Sequence, residues 1–183
     1  VILPAQYQWL AKLPVLPKTI SVALAEFGTK EIVGKGNSRT IIGWRDELNQ
    51  AGAKISGYSD DDIPWCGLFA AIVVLRRKSN ASEVVDGPLW ALNWIGYGAK
   101  SPEASLGDVL VFKRPSGGHV GFYVAEDATA YHVLGGNQSN KVCITRIAKY
   151  RCVAVRRPPY VTVPETVKPY RVASAGSLSQ NEA

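Results

Sequence analysis

A chain of 183 residues, 46% apolar and 20% charged, is expected to form one globular domain with a sizeable core and room for a tail. Its net charge of +6 suits an anionic partner, but the basic residues are scattered apart from Arg76-Arg77-Lys78 and Arg156-Arg157, and no motif for nucleic acid accompanies them. Three cysteines without a Cys-x-x-Cys pair argue against a disulfide scaffold or a zinc site, no apolar run nears the ~20 residues of a membrane span, and Lys12, Pro14 and Pro17 interrupt any signal-peptide pattern.

The chain divides into a helical half and a strand half. Residues 4–17 read as an irregular or short helical lead-in. Lys18 to Phe27 carries Ile20, Val22, Ala23, Leu24 and Phe27 at amphipathic helix spacing, and Gly28 ends it. Ser38 is a good N-cap for a second helix to about Gln50, closed by Gly52. A third helix follows Cys66 and ends near Arg76 to Ser79. A short fourth begins at Asp86-Gly87-Pro88, with Trp90 and Trp94 on one face.

After Gly98, five strands are expected: residues 109–112, 119–125, 130–134, 142–147 and 151–156. They form an antiparallel meander with the helices packed on one face, an α+β fold. From Pro158 the chain turns Pro-rich, then small and polar. Residues 1–157 are read as a single domain and 158–183 as an extended tail.

The stretch Asp60-Asp61-Asp62-Ile63-Pro64-Trp65-Cys66 runs from an acidic loop into the first turn of the third helix. Unpartnered N–H groups and the helix dipole there stabilise a thiolate, so the pKa of Cys66 is expected to fall. A lone cysteine beside an apolar helix is more often a small buried hydrophobe. Two downstream groups favour chemistry: His119 opens the second strand and Asn137 follows the third. Neighbouring antiparallel strands can bring both to the end of the sheet where the helix starts. Thiolate, imidazole and a third polar group that fixes the imidazole make a Cys–His hydrolase.

These residues sit in blocks that resemble a known family. Ile63-Pro64-Trp65-Cys66-Gly67-Leu68-Phe69, Gly107-Asp108-Val109-Leu110-Val111-Phe112, Gly117-Gly118-His119-Val120-Gly121-Phe122-Tyr123 and Leu134-Gly135-Gly136-Asn137-Gln138 are similar to the blocks of CHAP peptidases. These are cysteine, histidine-dependent amidohydrolases/peptidases of the NlpC-like, papain-like superfamily. Glu31-Ile32-Val33-Gly34 resembles an element of a phage or prophage endolysin-like subgroup. The resemblance covers roughly residues 15–158 and keeps block order.

The resemblance implies a papain-like fold and hydrolysis of an amide bond in bacterial peptidoglycan, either between glycan and peptide or within the peptide. It implies Cys66 as nucleophile, His119 as general base and Asn137 as third residue. Many CHAP enzymes carry a glutamate just ahead of that asparagine, where this chain has Gly135 and Gly136, so the third role falls to Asn137 or to Gln138. Trp65, Gly118 and Gln138 are the candidate substrate-binding residues. No cofactor and no metal are assigned, although some CHAP enzymes bind calcium in the loop before the cysteine, where Asp60, Asp61 and Asp62 stand here. The expected partner is peptidoglycan, with no nucleic acid and no stable membrane insertion, and the expected state is a monomer. It would be made in the host bacterial cytoplasm and act on the wall.

Blander assignments stand beside these. His132, mid-strand, is a structural histidine. Cys143 and Cys152 could face each other across the last hairpin, paired or reduced. Trp44, Trp90 and Trp94 belong to the core. The alternative function is a non-catalytic wall-binding or structural module that keeps the fold. Acyl transfer on the same thiol scaffold shares the nucleophile chemistry.

Overall fold

The computed structural model describes residues 2–173, 176–180 and 182. Three α-helices, α1 (Lys18–Ala25), α2 (Arg39–Gln50) and α3 (Cys66–Lys78), precede an antiparallel six-stranded sheet. Its strands are β1 (Ala99–Lys100), β2 (Val109–Arg114), β3 (Gly117–Glu126), β4 (Ala130–Gly135), β5 (Cys143–Ala148) and β6 (Cys152–Arg157). The α+β class is as expected. The sheet gains the two-residue β1, which pairs with β6 beyond the expected set.

α3 is the central helix. Eleven of its 13 residues are buried, all but Arg76 and Lys78. A helix apolar all round must lie between layers. Its Phe69, Trp44 of α2 and Phe122 of β3 form the aromatic centre, with ring centroids 5.7 and 6.0 Å from Phe69. The cap read at Ser38 holds, its Oγ accepting from the Ile41 N–H. Gly67 is required at the helix start because a Cβ there would come within 2.1 Å of the Pro88 carbonyl oxygen.

The strand order is β1-β6-β2-β3-β4-β5, so the meander is incomplete: β6 returns to pair with β2 rather than with β5. Only three residues, Lys149–Arg151, link β5 to β6. In a flat sheet those strands would be four spacings apart, about 19 Å. The link spans at most about 14 Å. The sheet therefore curls strongly, as its twist allows, until the end of β5 approaches the start of β6. Cys143 and Cys152 consequently do not face each other: Cys143 pairs with Gly135, Cys152 with Phe112, and both thiols are free.

Two further expectations change. The fourth helix is a 3-10 turn, Ala91–Gly96, which buries Trp94 but leaves Trp90 57% exposed. Three residues per turn cannot hold positions four apart on one face. The basic run at the end of α3 is neutralised rather than presented to a partner. Arg76 pairs with Glu26 and Glu47, and Arg77 and Lys78 with Glu83.

The tail is extended but docked. Thr166 is buried and its hydroxyl donates to the Val15 carbonyl. Tyr170 stacks on Trp9 at 4.6 Å, and its carbonyl accepts the Glu126 N–H. Residues 174, 175, 181 and 183 of the expected tail lie outside the described residues. Among the described residues, no helix is long and apolar enough to cross a membrane.

Candidate active site

Cys66 is the first residue of α3, as its position after Pro64-Trp65 led one to expect. Its sulfur lies beside the backbone N–H of Val120, the residue after His119. The start of α3 and the start of β3 thus meet at one end of the curled sheet. The predicted electrostatics are reversed, however. Burial pushes the Cys66 thiol above its ordinary pKa, against the opposing pull of the Val120 N–H, the Arg114 charge and the N–H groups of Gly67 and Cys66 itself. The helix start does favour thiolate, but withdrawal from water outweighs it. Cys66 is 4% exposed and His119 1%.

Burial also pushes His119 down, to about 4, although the Glu182 charge and the Gln138 bond pull it upward. Thiol and imidazole are both neutral at pH 7. No hydrogen bond joins them among the described residues. Such contacts often tighten only when substrate arrives.

The side chain bonded to the His119 ring is that of Gln138, not Asn137. Gln138 Oε1 lies 3.0 Å from His119 Nε2. Asn137 sits in the left-handed region, φ 52°, which asparagine tolerates better than most residues. That turn breaks the extended run of β4, and it swings Gln138 inward. The space comes from Gly135, where a Cβ would lie 2.7 Å from Gln138 Oε1 and 3.2 Å from His119 Nε2. Gly136 faces the other way, against Trp65 and Phe69. Both glycines are therefore steric requirements of the site.

The three candidate substrate contacts are interior. Trp65 is fully buried, and its indole Nε1–H donates to Glu31 Oε2 at 3.0 Å. That bond gives Glu31 a definite job: it ties the loop before α2 to the residue next to Cys66. Leu92 fills the space above Gly118, within 2.7 Å of where a Cβ would be. Gln138 is fully buried behind His119.

Asp61 anchors the acidic loop. Its Oδ2 accepts from the N–H groups of Ile32 at 3.0 Å and Ser38 at 2.7 Å. The carboxylates of Asp60, Asp61 and Asp62 lie within 4.8 Å of one another, and Asp61 Oδ1 is buried without a hydrogen-bond partner. His132 is structural, held between the Tyr7 hydroxyl at 2.7 Å and Asp127 at 3.0 Å.

Sequence reasoning missed three charged neighbours. Arg114 acts on both Cys66 and His119. It was findable: it lies two residues beyond Phe112, which pairs with His119, at the end of a readable hairpin. Arg151 and Glu182 had no such signal. Arg151 reaches the site from the link between β5 and β6 and Glu182 from the docked tail, and Arg151 grips the Glu182 carboxylate with both guanidinium nitrogens at 2.8 Å.

No protein-family model, curated protein or solved structure matches the chain.

Proposed function

We propose that this protein is a cysteine-dependent amidohydrolase with a papain-like site, acting on an amide bond of bacterial peptidoglycan as an endolysin-like endopeptidase or amidase. The observation that carries the reading is the buried bond between His119 Nε2 and Gln138 Oε1 beside a helix-initiating cysteine. Gln138 spends its amide nitrogen on the carbonyls of Val133 and Cys143, so its oxygen must face the imidazole. An oxygen there requires His119 Nε2 to carry the proton. Nδ1 is left with a lone pair, able to accept the Cys66 proton.

In the proposed reaction that proton moves to Nδ1 as sulfur attacks the amide carbon. The N–H groups at the start of α3 are positioned to hold the developing oxyanion. The imidazolium then protonates the leaving amine and a thioester remains. Water, deprotonated by Nδ1, attacks the thioester, releasing a carboxylic acid and restoring the thiol. Proton balance closes on His119, and no metal or cofactor is required by these steps.

The closed state of the site favours a second reading, a wall-binding or structural module without turnover. Clearing of a bacterial wall suspension by the purified protein, with and without iodoacetamide, separates the two. The hydrolase reading expects clearing that the reagent abolishes. Wall binding without clearing, in protein whose tail has been released, would support the module.

A further inference from the structure

This chain's own tail docks beside His119, on the side of its partner Gln138. Beyond Gly176 the tail runs along the outer edge of β5, where the Ser179 N–H donates to the Arg146 carbonyl at 2.9 Å. It brings in Glu182, which is 1% exposed. The Glu182 carbonyl accepts the N–H of Ser139, one residue beyond His119's partner Gln138, at 2.9 Å. Its carboxylate is held by the Arg151 fork. Arg151 also donates to the Ser179 carbonyl, which fixes the guanidinium plane.

A peptide carbonyl on a backbone N–H, with a carboxylate on a planar arginine, is how a site takes an acidic peptide. Here the occupant is tethered. Burying a carboxylate is costly unless it is paired. Burial alone would raise the Glu182 carboxyl, but the Arg151 guanidinium holds it ionised, below the ordinary carboxylate range. Beside the tail a groove of about 450 Å³ continues past Lys113, Arg114, Tyr150 and Arg151. Its cations suit an anionic chain.

We propose that Arg151 and the Ser139 N–H form a carboxylate-binding subsite beside His119, filled in this structure by Glu182, so that the tail competes with an acidic peptide for the approach to His119 and Cys66. This rests on the hydrolase reading for the nature of the substrate, a peptide with a carboxylate near the bond to be cut. It does not rest on that reading for the closure.

The test uses the full chain and a readout other than turnover. Iodoacetamide is neutral, so its reaction with Cys66, followed by mass spectrometry of the Cys66 peptide, reports access without charge bias. Glu182→Ala should raise that rate at least tenfold over wild type. Glu182→Gln, which keeps the shape and loses the charge, should raise it in the same direction and decides the matter if alanine unsettles the fold. In the opened variant N-acetyl-L-alanyl-D-glutamate should protect Cys66, its diamide should protect far less, and adding Arg151→Met should erase the difference. Unchanged alkylation in folded Glu182→Gln overturns the proposal. Faster alkylation with no preference for the diacid also overturns it, leaving a strap and no subsite. If alkylation and protection follow the expectation while no variant clears walls, the subsite stands and the hydrolase reading falls.

Discussion

Gln138 holds His119 through an amide whose orientation is fixed from behind: Oε1 meets Nε2 at 3.0 Å while the amide nitrogen donates to the carbonyls of Val133 at 3.1 Å and Cys143 at 2.6 Å. β4 and β5 thereby set the tautomer of an imidazole carried on β3. Gln138→Ala should lower kcat by about 10²-fold with a small change in KM, since nucleophile and base remain. Gln138→Glu should not rescue it, because a carboxylate cannot donate to those two carbonyls. Asn137→Ala should change kcat little and cost about 1 kcal/mol through left-handed strain, with Asn137→Gly near wild type. Steady-state kinetics on all four variants checks the assignment; a silent Gln138→Ala would refute it.

Gly135→Ala probes the same bond without touching either partner. The added Cβ meets Gln138 Oε1 at 2.7 Å and His119 Nε2 at 3.2 Å. The His119 ring should be displaced and kcat should fall about tenfold or more, with a stability loss of about 1–3 kcal/mol. A nitrogen NMR spectrum of His119 should lose its single-tautomer signature. An unchanged spectrum would mean that the strand end yields instead.

Stability should depend on pH through His119. Its folded pKa lies near 4, below the ordinary 6.5, so between those values the unfolded chain binds the extra proton. Stability is thus fully present above pH 6.5, falls as pH drops towards 4, and loses about 3 kcal/mol across that window. His119→Gln should flatten this part of the profile. His132, also held down by burial, contributes the same slope to both proteins and cancels in the difference. Urea unfolding at pH 7 and pH 4.5 measures it.

The tail should contribute to stability, contrary to what its composition suggests. Tyr170→Ala removes the stack on Trp9 and should cost about 1–2 kcal/mol, a fall in Tm of roughly 2–8 °C. Val161→Ala, at a position 99% exposed, should change nothing. Equal Tm values for the two variants would contradict the docked arrangement.

Local signals were legible wherever one residue type has one physical use. The cap at Ser38 and the apolar run of α3 each appear where the sequence puts them, and β3 forms where a strand was expected, buried on both faces. Long-range order was not. Nothing in residues 142–157 says that β6 should bypass β5 and pair with β2, because a three-residue link looks the same in a hairpin and in a curled sheet. In the candidate site, Cys66 and His119 were readable from helix start and strand start. Gln138 was readable only as an alternative to Asn137, because its inward turn depends on the left-handed backbone of Asn137. The pKa of Cys66 was misjudged for a related reason: a helix start is visible in sequence, but the burial of the thiol comes from packing against distant parts of the chain such as the start of β3.

The central claim is that Cys66 and His119 together cut an amide of the bacterial wall. Hydrolysis of any amide in peptidoglycan releases a new primary amine, whereas cleavage of the glycan releases a reducing end. The most direct measurement is therefore amine release from purified peptidoglycan by the Glu182→Gln protein, whose site is opened without touching either catalytic residue. The account predicts steady release of amines, no reducing ends, and a return to the blank rate when Cys66→Ala is added. Release that persists in the Cys66→Ala background, or no release from the opened protein at all, would contradict it.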